Sequence, residues 1–293
     1  MMPHSEECPA IRRRLLLNAG SVRAPEFAVS VGGGMRYSWL PCLFAVIEHE
    51  REGIGLFDTG HANRFFEAAG EWPYSIYRRI TKVRIAPQED AVRQLAALGI
   101  PAGEVRWIVI SHFDSDHIGG LRDFPAARLF CARSAYCAVA GKRGMAALRA
   151  RILPALLPDD LDHRLVLLPE INGPPVGPFP SSLRLFGDDG ICLVELPGHA
   201  EGQIGAFVRG EDGVDWFLAA DACWNRASVS LDTRRTPPIH LHRLFAVNRT
   251  LQDLTYQHLR ELHRCYPQVV VIPTHCSEAA ASLLSPHIGR TET

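Results

Sequence analysis

Residues 105–110, Val-Arg-Trp-Ile-Val-Ile, are apolar but for one arginine, and they run straight into Ser111, His112, Phe113, Asp114, Ser115, Asp116 and His117. A short run rich in β-branched residues reads as a buried strand. The polar cluster behind it then sits at a strand end, where a rigid scaffold displays its reactive groups. Three other places share this arrangement. Residues 191–196 lead into Pro197, Gly198 and His199. Residues 216–220 lead into Asp221, and residues 269–272 into Pro273, Thr274 and His275.

The rest of the chain alternates strand and helix signals. Residues 43–48 and 54–57 are short apolar runs around a charged, glycine-containing turn, which predicts a β-hairpin ending in Asp58, Thr59 and Gly60. Between 89 and 98 the apolar positions Ala91, Val92, Leu95 and Leu98 recur at helical spacing, with Gly99 at the C-cap. Strands are expected over 127–131, 183–186, 191–196, 205–208, 216–220 and 269–272, and an amphipathic helix over 251–262. Strand–helix–strand units in both halves make this a mixed α/β chain. Residues 1–24 are polar and basic and read as an arm. Residues 25–293 read as one domain with a helical insertion near 134–165. The apolar stripe of that insertion (Met145, Leu148, Ile152, Leu156, Leu157) reads first as core, with a lid or a homodimer face as alternatives.

Charge and composition exclude several function classes. Lys and Arg number 31 against 32 Asp and Glu, so no basic excess points to nucleic acid. No apolar run approaches the roughly 20 residues of a membrane span. The three leucines after Arg12, Arg13 and Arg14 are too few for a secretion signal. Eight scattered cysteines without a Cys-x-x-Cys pair fit reduced thiols in a cytoplasmic protein.

Two His and two Asp within six residues make a dense set of metal-competent donors. In an extended segment His112, Asp114 and Asp116 face one way, and His117 turns aside. Each outlying piece alone has a plainer reading. A His after Pro-Gly is usually a loop residue, and an Asp after a strand is usually a helix N-cap. The cluster resists that reading, because adjacent polar groups buried without partners would cost several kcal/mol. His240 and His242 are a weaker metal-binding pair, read as exposed loop residues.

The order Ser-His-x-x-x-Asp-His-x-Gly-Gly, Pro-Gly-His, a strand-terminal Asp and a late strand-terminal His resembles the metallo-β-lactamase superfamily, and Asp58-Thr59-Gly60 matches its early motif. Within it the chain looks most like the N-acyl-homoserine lactone lactonases. The resemblance implies a four-layer αβ/βα sandwich, with two mixed β-sheets flanked by helices and two divalent metal ions at one edge. It further implies one site of His112, Asp114 and His199, and a second of Asp116, His117 and His275. Asp221 would bridge them, and Asp58 would orient a ligand histidine by hydrogen bonding.

Three departures bear on the chemistry. Asp114 stands where the family usually has a second histidine, which moves metal preference from zinc towards iron or manganese. Trp224 stands where the lactonases usually carry a tyrosine that polarises the substrate carbonyl, and an indole has no hydroxyl. Cys276 follows the last histidine, where an acidic residue is common; it and Cys223 read as small buried thiols. The expectation is a metal-dependent hydrolase that cleaves an ester or lactone of a small molecule with a hydroxide held between two metals, zinc first. Asp116 and Asp221 would move the proton, and Trp224 would help the oxyanion. The alternatives are an iron or manganese redox enzyme, or a non-catalytic metal or metabolite binder.

Overall fold

Successive side chains on a strand point to opposite faces, and along Tyr37–His49 both faces are apolar. Leu43, Ala45 and Ile47 join one buried cluster, while Phe44 and Val46 join another. A strand buried on both sides belongs inside a layered structure. The computed structural model, which describes residues 10–29, 34–210, 212–230 and 246–284, shows those layers. His240 and His242 lie outside the described residues.

Seven strands form the larger sheet: β1 (Ile11–Pro25), β2 (Tyr37–His49), β3 (Gly53–Phe57), β4 (Val83–Arg84), β5 (Val105–Val109), β6 (Arg128–Ala132) and β7 (Leu165–Leu168). Their order is β4-β1-β2-β3-β5-β6-β7. β2 and β3 form the expected antiparallel hairpin, and β3, β5, β6 and β7 run parallel. The smaller sheet contains β8 (Leu183–Arg184), β9 (Ile191–Glu195), β10 (Ile204–Val208), β11 (Asp215–Ala220) and β12 (Val269–Pro273), in the order β12-β11-β10-β9-β8. β11 and β12 are parallel and the other pairs antiparallel.

The two sheets meet through Leu43, Phe57, Trp107, Val109, Ile204, Ala206, Leu218 and Ile272. The outer face of the larger sheet packs Val46, Leu56, Ile108 and Leu129 with Leu95, from the helix Ala91–Ala97, and with Ile152 and Leu156. On the far side, Val194, Phe207, Phe217 and Val271 pack on Tyr256, Leu259 and Leu262 of the helix Arg249–Cys265. Helix, sheet, sheet and helix make the four layers of an αβ/βα sandwich. At Gly55 in β3 an added Cβ would lie 1.9 Å from the Trp107 ring, so the tryptophan that fills the centre requires glycine there.

One expectation needs correcting. Residues 11–24 are not an arm: they belong to β1, which pairs with β2 from Ile11 to Pro25 and also with β4. The basic run conceals a strand because its arginines cover apolar surface and keep their charges paired. Arg14 lies 4.6 Å over the Trp216 ring and reaches Asp212, and Arg12 meets Glu50, while Leu16 and Leu17 are buried. Between β6 and β7 the chain forms the short helices Arg133–Val139 and Gly144–Arg149, a 3-10 turn Pro154–Leu156 and the helix Leu161–Arg164. Of the apolar stripe there, Ile152 and Leu156 are buried, but Met145 is exposed.

Candidate metal centre

The ends of β3, β5, β9, β11 and β12 converge at one edge of the two sheets, each carrying a polar residue. Past β5, Asp114 has extended backbone angles and opens the one-turn helix Ser115–Ile118, which buries Asp116 and His117. After β9, Gly198 adopts φ 131°, and a Cβ there would lie 2.4 Å from the backbone of Gln252. The loop is clamped to the long helix, with Asn248 N–H donating to the Gly198 carbonyl and Thr255 Oγ1 to that of Pro197. At the end of β11, Ala220 turns left-handed at φ 46° and delivers Asp221. Thr274 N–H binds the Ala220 carbonyl and so ties the β12 end, with His275, to Asp221.

Asp58, Arg151 and Ala220 are the non-glycine residues with positive φ among those described, and all three border this edge. Such conformations cost on the order of 1–3 kcal/mol each and persist where the surroundings over-determine them.

The seven expected donors fall into two groups. His112, Asp114 and His199 place one donor atom each within 4.8 Å of one another, and so do Asp116, His117, Asp221 and His275. Asp221 touches both groups. Its Oδ1 lies 3.3 Å from His117 Nε2, and its Oδ2 lies 3.3 Å from His275 Nε2 and 3.6 Å from His199 Nε2. Asp114 Oδ2 is 3.4 Å from His199 Nε2 and 3.7 Å from His112 Nε2. Asp116 Oδ2 is 3.2 Å from His275 Nε2.

Hydrogen bonds behind the rings fix which nitrogen faces inward. A carboxylate or carbonyl can only accept, so His117 Nδ1 donates to Asp58 Oδ2 at 2.7 Å and His275 Nδ1 to the Pro41 carbonyl at 2.8 Å. Asp58 also accepts from Ser111 Oγ and Ser111 N–H, which holds the start of the cluster.

The arrangement fits a cation. Among the described residues, His112 Nε2, His117 Nε2, His199 Nε2 and Asp221 Oδ1 are buried without a hydrogen-bond partner. An orphaned buried polar atom costs about 1–3 kcal/mol, and several aimed at one place make sense as ligands. Nitrogen and carboxylate donors suit zinc, iron or manganese.

Without a metal, charges within the cluster compensate one another. Burial pushes His117 down, but Asp58, Asp116 and Asp221 outweigh it and hold its pKa well above the ordinary value. Burial likewise opposes protonation of His275, and Asp221 and Asp116 override it. Asp114 is held well below the carboxylate range, burial notwithstanding, first by Arg151 and then by His112.

Beside Asp114 opens a cavity of about 450 Å³ walled by Phe113, Val139, Ala146, Arg151, Ala200 and Val247. The helical segment 133–151 thus borders the candidate site. Phe113 lines the cavity. Trp224 stands on the other side, its ring centroid 6.2 Å from that of His275, packed near Val29 and Leu40. Cys223 and Cys276 are buried, and Cys276 Sγ caps the helix Ser277–Leu283 by accepting from Ala279 N–H.

Three neighbours of the cluster escaped the sequence reading. Arg151 reaches Asp114 from a left-handed turn some 37 positions away in the chain, a contact that no local pattern announces. His61 and Cys42 lie fully buried against Asp116. His61 was the findable one, since it directly follows the Asp-Thr-Gly motif.

An αβ/βα sandwich with histidines and aspartates gathered at a shared sheet edge defines the class of metallo-hydrolases. Residues 37–233 match the metallo-beta-lactamase superfamily, and the chain belongs to it. It is 30% identical over 246 residues to a probable metallo-hydrolase of Mycobacterium tuberculosis, covering 80% of this chain and 74% of that protein. To the N-acyl homoserine lactonase AttM of Azorhizobium caulinodans it is 25% identical over 227 residues, 74% of this chain and 80% of that one. Among solved structures, an N-acyl homoserine lactone hydrolase with N-hexanoyl-L-homoserine bound at its catalytic metal center superposes with a TM-score of 0.71. The two are 17% identical, over 93% of this chain and 96% of that one.

Proposed function

We propose that this chain hydrolyses an ester or lactone bond of a small organic molecule, using two divalent cations held by His112, Asp114 and His199 and by Asp116, His117 and His275, with Asp221 shared. The observation that carries the reading is Asp221, whose two carboxylate oxygens reach histidines of both donor groups. When bound, such ions supply Lewis acidity and lower the pKa of water from 15.7 to about 7. The lactonase relatives favour a cyclic or open ester as substrate.

The protein's own groups have separate tasks. Asp58 keeps the His117 ring in the tautomer that turns Nε2 inward, and the Pro41 carbonyl does so for His275. Asp116 or Asp221 would pass a proton to the leaving alkoxide. Phe113, Val139 and Val247 give the cavity beside Asp114 an apolar wall for the substrate's carbon chain. Trp224 borders the His275 side and offers an indole N–H in place of the lactonase tyrosine.

Zinc is the metal we assign first. Asp114 alone favours iron or manganese, but Arg151 lies 3.2 Å from its carboxylate and offsets the added negative charge. The seven described cysteines are all free, which supports a reducing, cytoplasmic setting. The test is a hydrolysis screen over lactones, esters, thioesters and phosphoesters, with elemental analysis and alanine variants at His112, Asp116, Asp221 and His275. Lactone or ester turnover that disappears together with the metal supports the assignment. Full turnover in a variant stripped of metal overturns it, and two irons with redox turnover favour the other chemistry.

A further inference from the structure

Behind the Asp116 group lies a third set of donors that the hydrolytic reading does not use. Cys42, from β2, and His61, from the turn after β3, place a sulfur and a ring nitrogen within 4.8 Å of each other and of an Asp116 oxygen. Cys42 Sγ is 4.0 Å from Asp116 Oδ2. Cys42 and His61 are fully buried and Asp116 nearly so. Both ring nitrogens of His61 lack a hydrogen-bond partner among the described residues. Its ring meets Phe65 edge-on at 5.1 Å, so one side is apolar while the other faces sulfur and carboxylate. Burying an imidazole with neither nitrogen satisfied is not how a core histidine is ordinarily kept.

We propose that Cys42, His61 and Asp116 form a third cation site, distinct from the two donor groups above and joined to one of them through the Asp116 carboxylate. Its ligand is a divalent transition ion of the zinc or cobalt kind. Thiolate sulfur selects such ions over magnesium or calcium, which prefer all-oxygen sets. The thiolate supplies one negative charge, the Asp116 carboxylate shares its own between two ions, and the imidazole binds neutral. As the sulfur–metal bond forms, the thiol proton leaves to solvent.

The backbone holds this set in place. Cys42 N–H donates to Asn18 Oδ1 at 2.8 Å, and His61 N–H to the Ala19 carbonyl at 3.0 Å. Both anchors lie where the β1–β2 register shifts between Asn18 and Ser21.

The experiment strips the full-length protein with a chelator and reloads it with cobalt(II). Cobalt per chain is measured by elemental analysis, and thiolate-to-cobalt charge transfer by its near-ultraviolet band. Expected are about three equivalents and a thiolate band. Cys42→Ser should lose the band and one equivalent, and His61→Phe should lose one equivalent, both keeping the remaining two and the hydrolytic activity. Two equivalents without a thiolate band in the wild type overturn the third site and leave the two-cation reading standing. No bound cobalt overturns both. A band that persists in Cys42→Ser assigns the thiolate elsewhere and also overturns the proposal. The wild-type measurement decides even if a variant fails to fold.

Discussion

Arg151 Nε lies 3.2 Å from Asp114 Oδ2, and Arg151 Nη2 donates to the backbone carbonyl of His199 at 2.8 Å. One guanidinium therefore binds two members of the same donor group, one by its side chain and one by its backbone. Removing one partner of a largely buried pair leaves the other charge uncompensated. In metal-free protein Arg151→Gln should lower unfolding stability by about 1–3 kcal/mol, the lower end reflecting the partial exposure of the arginine. With metal bound the loss should be smaller, because a cation then also balances Asp114. Urea denaturation with and without chelator measures both, and equal losses in the two states would refute the counter-charge role.

The same pair predicts how a reversion to the family's usual histidine behaves. Asp114→His alone places an imidazole beside Arg151 and should weaken metal binding in the His112–His199 group. Combining it with Arg151→Leu should recover much of that loss. A double-mutant cycle on metal affinity should show a coupling of at least ~1 kcal/mol. Strictly additive effects would mean that Arg151 does not act through Asp114.

How much of this was legible in the sequence depends on the kind of contact. The strands leading to His112, His199, Asp221 and His275 could be read because each is a short apolar run followed within three residues by its polar residue, so the signal is local. The larger sheet's β1 could not be read, because its arginines pair with Glu50 and Asp212 and lie over Trp216, partners distant in sequence. Asp58 was recognisable from its motif, and it accepts a hydrogen bond from His117 Nδ1. Arg151 and the Cys42–His61 pair were not, since folding alone brings them to Asp114 and Asp116.

Asp58→Asn tests how the buried hydrogen bonds tune the site. The neutral amide replaces the charge that holds His117 Nδ1–H and competes for Ser111. Loss of such a partner typically costs 10–100-fold in metal affinity. We expect a drop of about that size in the group containing His117, read by competition with a chelating dye. Circular dichroism should show the fold retained, and unchanged affinity would mean that the Asp58–His117 bond does not tune binding.

Stability against pH should differ between the metal-free and loaded forms. His117 and His275 have folded-state pKa values above their ordinary ones, because Asp58, Asp116 and Asp221 outweigh burial. Their contribution is complete below about 6.5 and is lost as pH rises through the folded values. Asp221 is held low, with burial outweighed by His275 and His117, so its contribution is present above about 3.9 and lost in acid. Metal-free protein should weaken at alkaline pH, while loaded protein, whose ligand rings are neutral, should not. Calorimetry in buffers of different ionisation enthalpy should detect net proton release on loading at pH 7, from His117 and His275 and, where the third site fills, from the Cys42 thiol as well. Parallel alkaline losses in both forms, with no proton release, would contradict the linkage.

Gly198 controls where His199 stands without touching a ligand. Its φ of 131° is one that side chains rarely adopt, and a Cβ would fall 2.4 Å from backbone atoms of Gln252. The obstacle is the main chain of the helix Arg249–Cys265, which cannot swing aside as a flexible side chain would. Gly198→Ala must therefore shift the loop or the helix, and strain of this type costs on the order of 1–3 kcal/mol. A shifted loop moves His199 away from Asp114 and loosens the Arg151 bond to its carbonyl. The expected result is a lower melting temperature together with weaker binding in the His112–Asp114–His199 group, while the Asp116–His117–Asp221–His275 group keeps its metal. Cobalt titration followed by absorption separates the two groups, and an alanine variant that melts and binds like the wild type would show that the backbone can yield there.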